Sequence, residues 1–317
     1  MKKILYAIVC LFTIIAIVGC GNQNNGGKKT INSYSVVDGR GKTIVFDKKP
    51  SRIATLHYST DEILLDLVDA SRIAALSKSA HEPALCNIPD RANVIKTIAQ
   101  DNAEFMISNK VDLVFIRENY RKETIEGLEN ANIKVFVTSN PVDIEGVAKF
   151  VKQMAAAVGE KEKGDQLVSA MRSEIKKVAE KYKVPSDKQY RAMVFGKLGA
   201  SSLKGSIVDE IFKYAQIKNA TADVELDLPK QAKARLSKEQ IVKANPDLIL
   251  LIDYNYQDIK NGDDKFKSEV INDPALSTVK AIKNKNIVLV PMRSTICFSH
   301  YIAKNIVNIA DAVYGKK

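Results

Sequence analysis

The sequence predicts an α/β protein with two lobes, each built on a central, mostly parallel sheet, joined by one long helix. Three observations predict it. Short apolar runs alternate with amphipathic stretches along most of the chain, the pattern of parallel strands covered by helices on both faces. One long helical stretch at mid-sequence breaks that alternation. A short pattern before it returns after it. The chain has 317 residues, room for two domains at roughly 150 residues each.

In chain order, Met1-Lys2-Lys3 precedes an apolar run from Ile4 to Val18 and then Gly19-Cys20. A basic start, an apolar core and a small residue before the cut read as a secretory signal over residues 1–19, too short for a lasting membrane span. Residues 20–32 are rich in Gly and Asn, a flexible tether. Ser33–Val37 and Thr43–Phe46 flank the turn-rich Asp38-Gly39-Arg40-Gly41-Lys42 and predict a hairpin. Strands are expected at Ile53–His57, Ile73–Leu76, Val111–Ile116, Ile133–Val137, Arg191–Phe195, Leu248–Ile252 and Ile287–Val290. Helices between them include Thr60–Leu67, Asn102–Ser108, Glu123–Asn130 and Ser206–Tyr214.

From Lys161 to Tyr182 the chain is helical without a strand. Leu167, Met171, Ile175, Val178, Ala179 and Tyr182 recur at helical spacing, and Val184-Pro185-Ser186-Asp187 ends the run. Such a rod spans about 33 Å, a small domain's width. The expected division is therefore an N-terminal lobe at 33–158, an interlobe helix at 159–185 and a C-terminal lobe at 186–317. The halves echo each other: Asn102–Phe115 lies over Ser237–Leu250, each with a polar cap, a Glu in the first turn, an apolar face and an Asp opening a buried strand. Two open parallel sheets present loops at the carboxyl ends of their strands, which make a cleft between lobes.

Composition narrows the function. Apolar residues make up 45% and charged residues 27%, ordinary for a folded protein. Four cysteines are too few for a disulfide framework. Cys86 and Cys297, in loop-like stretches of opposite lobes, are expected as free thiols. The net charge of +11 comes from interspersed charges of both signs, a solvated Lys-rich surface facing anionic lipid and wall polymer rather than a nucleic-acid site.

Enzyme motifs fail on inspection. Gly41-Lys42-Thr43 ends like a phosphate loop, but position 36 is Val36 where that loop needs glycine. His81-Glu82 opens like a zinc-protease motif, but position 85 is Leu85. Ser201-x-x-Lys204 is matched equally well by Ser173-x-x-Lys176 and Ser277-x-x-Lys280, without the companion motifs of a serine hydrolase. Catalysis is not expected.

Two resemblances add to this reading. Ile17-Val18-Gly19-Cys20 resembles a bacterial lipobox, which implies a diacylglyceryl thioether on Cys20 and a site of action outside the cytoplasm. Val37-Asp38-x-x-Gly41-Lys42-x-Ile44, Lys49-Pro50-Ser51-Arg52-Ile53 and the helix ending Leu64-Leu65-Asp66-Leu67 resemble the opening of class III substrate-binding proteins, the iron-complex and cobalamin receptors of ABC importers. The two Glu-helix-Asp units and the mid-chain helix extend the similarity over roughly residues 33–315. The resemblance implies a monomer with a small hinge motion and a ligand between the lobes. It also implies an exposed Glu on each lobe docking into the two permease subunits; by position these are Glu104 and Glu239.

The cleft residues follow from the expected strand ends. The N-terminal loops offer His57, Tyr58, Ser59, Lys78, Arg117, Tyr120 and Ser139; the C-terminal loops offer Lys197, Tyr254, Asn255, Tyr256 and Arg293. Cations with Tyr rings suit a bulky, flat, anionic guest. The ligand set selected is His57, Tyr58, Arg117, Tyr120, Lys197, Tyr254, Tyr256 and Arg293, and the expected cargo is an Fe(III) chelate, a ferric siderophore first. Haem or a corrinoid stays open: His57, His81, Met292, Cys297 and His300 are chemically eligible axial ligands, with His300 placed in the last helix. Three scattered histidines do not make a dedicated metal site, and no resident cofactor is expected. The reading from another class is an extracytoplasmic hydrolase or wall-binding adhesin.

Overall fold

The computed structural model describes residues 33–197, 199–200, 204–222, 235–253 and 265–315. The leader, the tether with Cys20, and Tyr254, Asn255 and Tyr256 lie outside them. The described chain opens with an antiparallel hairpin, β1 (Tyr34–Val37) and β2 (Thr43–Phe46), in which Tyr34 faces Phe46. Asp38 fastens the turn: it accepts the N–H groups of Arg40 and Lys42 through Oδ1 and the Arg40 guanidinium through Oδ2.

The N-terminal lobe follows as β3 (Ile53–Thr55), α1 (Tyr58–Leu67), β4 (Ile73–Ala75), α2 (Pro89–Ala92), α3 (Ala103–Ser108), β5 (Leu113–Arg117), α4 (Lys122–Asn130), β6 (Lys134–Thr138) and α5 (Ile144–Ala157). Its sheet is parallel in the order β4-β3-β5-β6. Side chains alternate between two apolar layers, as a sheet covered on both faces requires. Ile53, Leu113, Phe115 and Phe136 enter one cluster; Ala54, Val114, Ile116 and Val135 enter the other.

The helix expected from Lys161 to Tyr182 is α6 (Lys161–Tyr182). Lys183 closes it in the left-handed conformation, at φ 41°, and Pro185 prevents its continuation. Gly164 sets its approach to α5, because a Cβ there would collide with the Ala155 side chain.

Beyond α6 lie β7 (Arg191–Gly196), β8 (Gly199–Ala200), α7 (Ile207–Tyr214), β9 (Lys218–Asn219), α8 (Lys238–Ala244), β10 (Leu248–Asp253), α9 (Lys265–Ile271), α10 (Lys280–Lys283), β11 (Ile287–Pro291) and α11 (Ile302–Tyr314). The order is β11-β10-β7, with β8 antiparallel and β9 parallel to β7 on its other edge. α6 packs on both α5 and α11. One apolar cluster accordingly runs from Phe136 and Val151 through Met171 and Ile175 to Val194, Leu250 and Ile306. The two lobes share this core on one face of each sheet.

Two expectations are corrected. β3 stops at Thr55, not His57, because the His57 side chain caps α1: its Nδ1 accepts the Ser59 N–H at 3.2 Å. His300 lies before the last helix, not in it; that helix starts at Ile302.

Candidate functional site

In the N-terminal sheet the connections leave β3 in opposite directions, to β4 on one side and β5 on the other. The crevice beyond the carboxyl ends of β3 and β5 is the topological switch point, where open α/β sheets take ligands. His57 and Arg117 occupy these two ends, with Arg117 Nη1 3.0 Å from His57 Nε2. The C-terminal sheet has its switch point between β7 and β10, which places Lys197 just past the end of β7.

His57 and Arg117 constrain each other. Burial, and then the Arg117 charge, hold the His57 imidazole down to about 3, so the ring is neutral at physiological pH. A neutral imidazole has one acceptor nitrogen. Two donors point at this ring, the Ser59 N–H at Nδ1 and Arg117 at Nε2. The backbone donor is fixed by α1, whereas the guanidinium can swing. Arg117 also keeps a buried Nε with no partner, and no carboxylate pairs with it among the described residues. A half-buried cation with donors to spare is what an anionic oxygen needs.

Beside this pair is a cavity of about 820 Å³ lined by Leu56, Ser77, Lys78, Gln100, Asp101 and Tyr120, with Ser79, Glu82 and Leu85 at its wall. The volume is within the range of small-molecule sites. Tyr120 lines it, its hydroxyl donating to the Leu56 carbonyl at 3.4 Å. Burial raises the Tyr120 phenol, so it stays a hydrogen-bond donor. Ser77 is held from behind by Asp61: the carboxylate accepts the Ser77 N–H at 3.1 Å and both the Ser77 and Thr55 hydroxyls. Asp61 thereby ties the ends of β3 and β4 to the first turn of α1. Burial pushes its carboxyl up to about 7.

The remaining candidates divide. Tyr58 is buried and its hydroxyl donates to the Ile296 carbonyl at 2.8 Å. Arg293 bridges to the N-terminal lobe, donating its N–H to Ala84 and its guanidinium to the Pro83 carbonyl. Lys197 is exposed and lies over the Phe266 ring, 5.8 Å from its centroid; Phe266 in turn stacks on Phe195. Ser139 sits by the hairpin against Gly39. Tyr254 and Tyr256 lie outside the described residues. His57 and Arg117 therefore meet at the β3/β5 switch point and Lys78 and Tyr120 line the neighbouring cavity, while Tyr58 and Arg293 make contacts between lobes.

Sequence reasoning missed Ser77, Gln100, Asp101, Asp61 and Glu62. The signal for the last two was available: adjacent acids, Asp61-Glu62, inside an apolar helix. Both are fully buried, and carboxylates are seldom buried unless something bonds them.

The duplicated units superpose in role. Glu104 and Glu239 are each the second residue of a helix, α3 capped by Asn102 and α8 by Ser237, and both are exposed. Cys86 and Cys297 are buried free thiols.

Comparison with known proteins agrees with this architecture. The model of the periplasmic binding protein family matches residues 53–293. A Bacillus subtilis protein named as an uncharacterized ABC transporter substrate-binding lipoprotein, YvrC, is 25% identical over 257 residues, 77% of this chain and 78% of that protein. A Halobacterium salinarum cobalamin-binding protein is 24% identical over 218 residues, 67% of this chain and 57% of that one. Among solved structures, the apo periplasmic heme-binding protein RhuT from Roseiflexus sp. RS-1 has the same fold, with a TM-score of 0.69 at 20% identity, covering 83% of this chain and 98% of that one.

Proposed function

This chain belongs to the periplasmic binding protein family, and we propose that it captures an iron complex, a ferric siderophore first, outside the cytoplasm and hands it to an ABC permease. The observation that carries the reading is Arg117: a half-buried guanidinium at a switch point, with an unpartnered Nε and no carboxylate neighbour among the described residues. Chelates that hold Fe(III) through anionic oxygens supply the missing partner. Tyr120 offers a ring and a phenolic donor beside it, and Lys78 adds a second cation at the wall.

In this reading Cys20 carries the lipid that keeps the protein on the outer face of the membrane, and the protein works as a monomer. Glu104 and Glu239 meet the two subunits of the permease, fixing orientation and quickening encounter more than adding affinity. The protein has no catalytic task, in keeping with relatives named as substrate-binding proteins.

A corrinoid or haem is the second reading, and one observation favours the corrinoid. The cavity wall carries Ser77, Ser79, Gln100 and Asn102 with two acids, Glu82 and Asp101. Hydroxyls, amides and carboxylates suit a ligand rimmed by amides better than one rimmed only by anions. The Halobacterium salinarum relatives that bear the name cobalamin-binding support the same choice.

Native mass spectrometry with a visible spectrum of the purified protein tests the reading. A bound mass with a ferric charge-transfer band supports the siderophore; a corrin or Soret spectrum selects the second reading. Turnover of a bound ester or glycoside would overturn both in favour of a hydrolase.

A further inference from the structure

α1 carries three polar side chains at intervals of four, Tyr58, Glu62 and Asp66, on one face. Each bonds a successive part of the C-terminal lobe's segment between β11 and α11. The Tyr58 hydroxyl donates to the Ile296 carbonyl at 2.8 Å. Glu62 Oε2 accepts the Ser299 hydroxyl, with Cys297 Sγ at 3.9 Å. Asp66 Oδ2 meets His300 Nε2 at 2.9 Å, and Arg91 joins Asp66 Oδ1 to the Tyr301 hydroxyl at 2.7 and 3.1 Å. Residues 296–301 thus lie along the N-terminal lobe's first helix, so α6 is not the sole tie between lobes.

Glu62 is the centre of this tie and also reaches the cavity wall. Its Oε1 accepts the Asn87 N–H at 2.6 Å and the Asn87 amide at 2.9 Å. Asn87 ends the loop whose Glu82 and Leu85 wall the cavity, and the same loop is held at Pro83 and Ala84 by Arg293. Glu62 and Ser299 are wholly buried. No cation pairs with the carboxylate among the described residues, so neutral donors alone satisfy it. Removing one member of such a buried polar set leaves its partners unmet.

We infer that Glu62 is a positioning residue of the ligand site, clamping the wall loop 82–87 to the C-terminal segment 296–301 so that the cavity wall and the lobe angle are set together. The inference rests on the reading that this cavity holds the ligand, and it assigns Glu62 no contact with that ligand. Removing its carboxylate takes the acceptor from the half-buried Asn87 N–H and leaves the buried Ser299 hydroxyl with only the Cys297 sulfur as acceptor among the described residues. Both segments should then open locally, in step, while the rest of the fold keeps its protection.

Hydrogen exchange of the full chain in detergent tests this. Glu62→Ala is expected to speed exchange in 82–91 and 296–301 by about tenfold or more, the effect of stranding buried donors, with β5, β6 and α5 unchanged. Ser299→Ala, a milder change that keeps the acid, should move the same two segments if Glu62→Ala does not fold. Glu62→Gln should restore slow exchange, because its amide oxygen faces Asn87 and its amide nitrogen donates to Ser299. Ile63→Val, a core change on the same helix, should leave the pattern uniform. Unchanged rates in the two segments, or acceleration spread evenly over all protected peptides, would overturn the inference. Titration with ferrioxamine, haemin and cyanocobalamin separates the two levels. Wild type binding none of them defeats the ligand reading; wild type binding one, with Ser299→Ala releasing it no faster, defeats the clamp.

Discussion

Asp112 and Asp247 make the same contact in different lobes. Asp112, just before β5, accepts the N–H groups of Ser51 and Arg52 at 2.8 and 3.0 Å, where the chain enters β3. Asp247, just before β10, accepts the N–H of Arg191 at 3.3 Å, where the chain enters β7. In each lobe the acid aligns the start of the neighbouring parallel strand and thereby the loops at the far end. The repeat visible in the sequence is therefore a repeat of strand registration, and it makes the two switch points equivalent.

Their strengths differ. Asp112 also accepts the Ser51 hydroxyl at 2.9 Å, so three donors depend on it. Asp112→Ala should cost about 1–3 kcal/mol, and Asp247→Ala less, in line with the number of groups each leaves unmet. Urea unfolding of the two variants checks the order; equal losses would contradict it.

Replacing Arg117 should act on binding and spare stability. Its hydrogen bond goes to a neutral ring that already has a donor, so little native structure depends on it. A charge-assisted contact with ligand is worth about 1.5–3 kcal/mol, so Arg117→Ala should weaken affinity by one to two orders of magnitude. Calorimetry beside a thermal melt reads both quantities. A large drop in melting temperature with intact affinity would reassign Arg117 to the fold.

Two opposing pH slopes are built into the first turn of α1. The Asp61 carboxyl, raised by burial to about 7 from an ordinary 3.8, gives stability that is full below the ordinary value and lost as pH climbs toward 7. Burial raises Glu62 as well. His57, lowered from 6.5 to about 3, gives stability that is full above 6.5 and lost as pH falls. Between about pH 4 and 6.5 the His57 slope therefore opposes that of the two acids. Relative to wild type, Asp61→Asn should therefore shift the pH slope toward loss of stability on acidification from neutral pH, and His57→Gln should shift it toward gain. Thermal melts across this range decide; variants with the same slope as wild type would refute the pairing.

Glu104→Ala and Glu239→Ala should leave ligand affinity intact and impair import. Both side chains are exposed, and Glu239 accepts the Ser237 hydroxyl of its own cap at 3.2 Å. Stimulation of the cognate transporter's ATPase in proteoliposomes measures the effect. Full stimulation by the double variant would remove them from the docking surface.

Periodicity made most of the architecture legible. The long helix has the bounds its apolar spacing predicts, because a Pro-containing stop follows it. The expected strands fall within two residues of their observed bounds, since buried parallel strands are apolar throughout, whereas the two-residue β8 and β9 carry no such run. The fate of single side chains was less legible. His57 reads as a strand end, yet its ring caps a helix; Tyr58 and Arg293 read as cleft groups, yet they bond backbone of the opposite lobe. Those outcomes depend on contacts more than 200 positions apart in the chain, which local pattern does not encode. The positions of Arg117 and Tyr120 at and just past the end of β5 were legible because the strand ends alone fix them.

Equilibrium titration of wild type and Arg117→Ala with ferrioxamine, haemin and cyanocobalamin tests the central claim most directly. The chain has 11 tyrosines and no tryptophan, so quenching of tyrosine emission reports binding. The account predicts saturation at one equivalent by one of these chelates, unchanged chemically after release, and a marked loss of affinity in the variant. Failure of all three to bind wild type, or equal binding by both proteins, would contradict it.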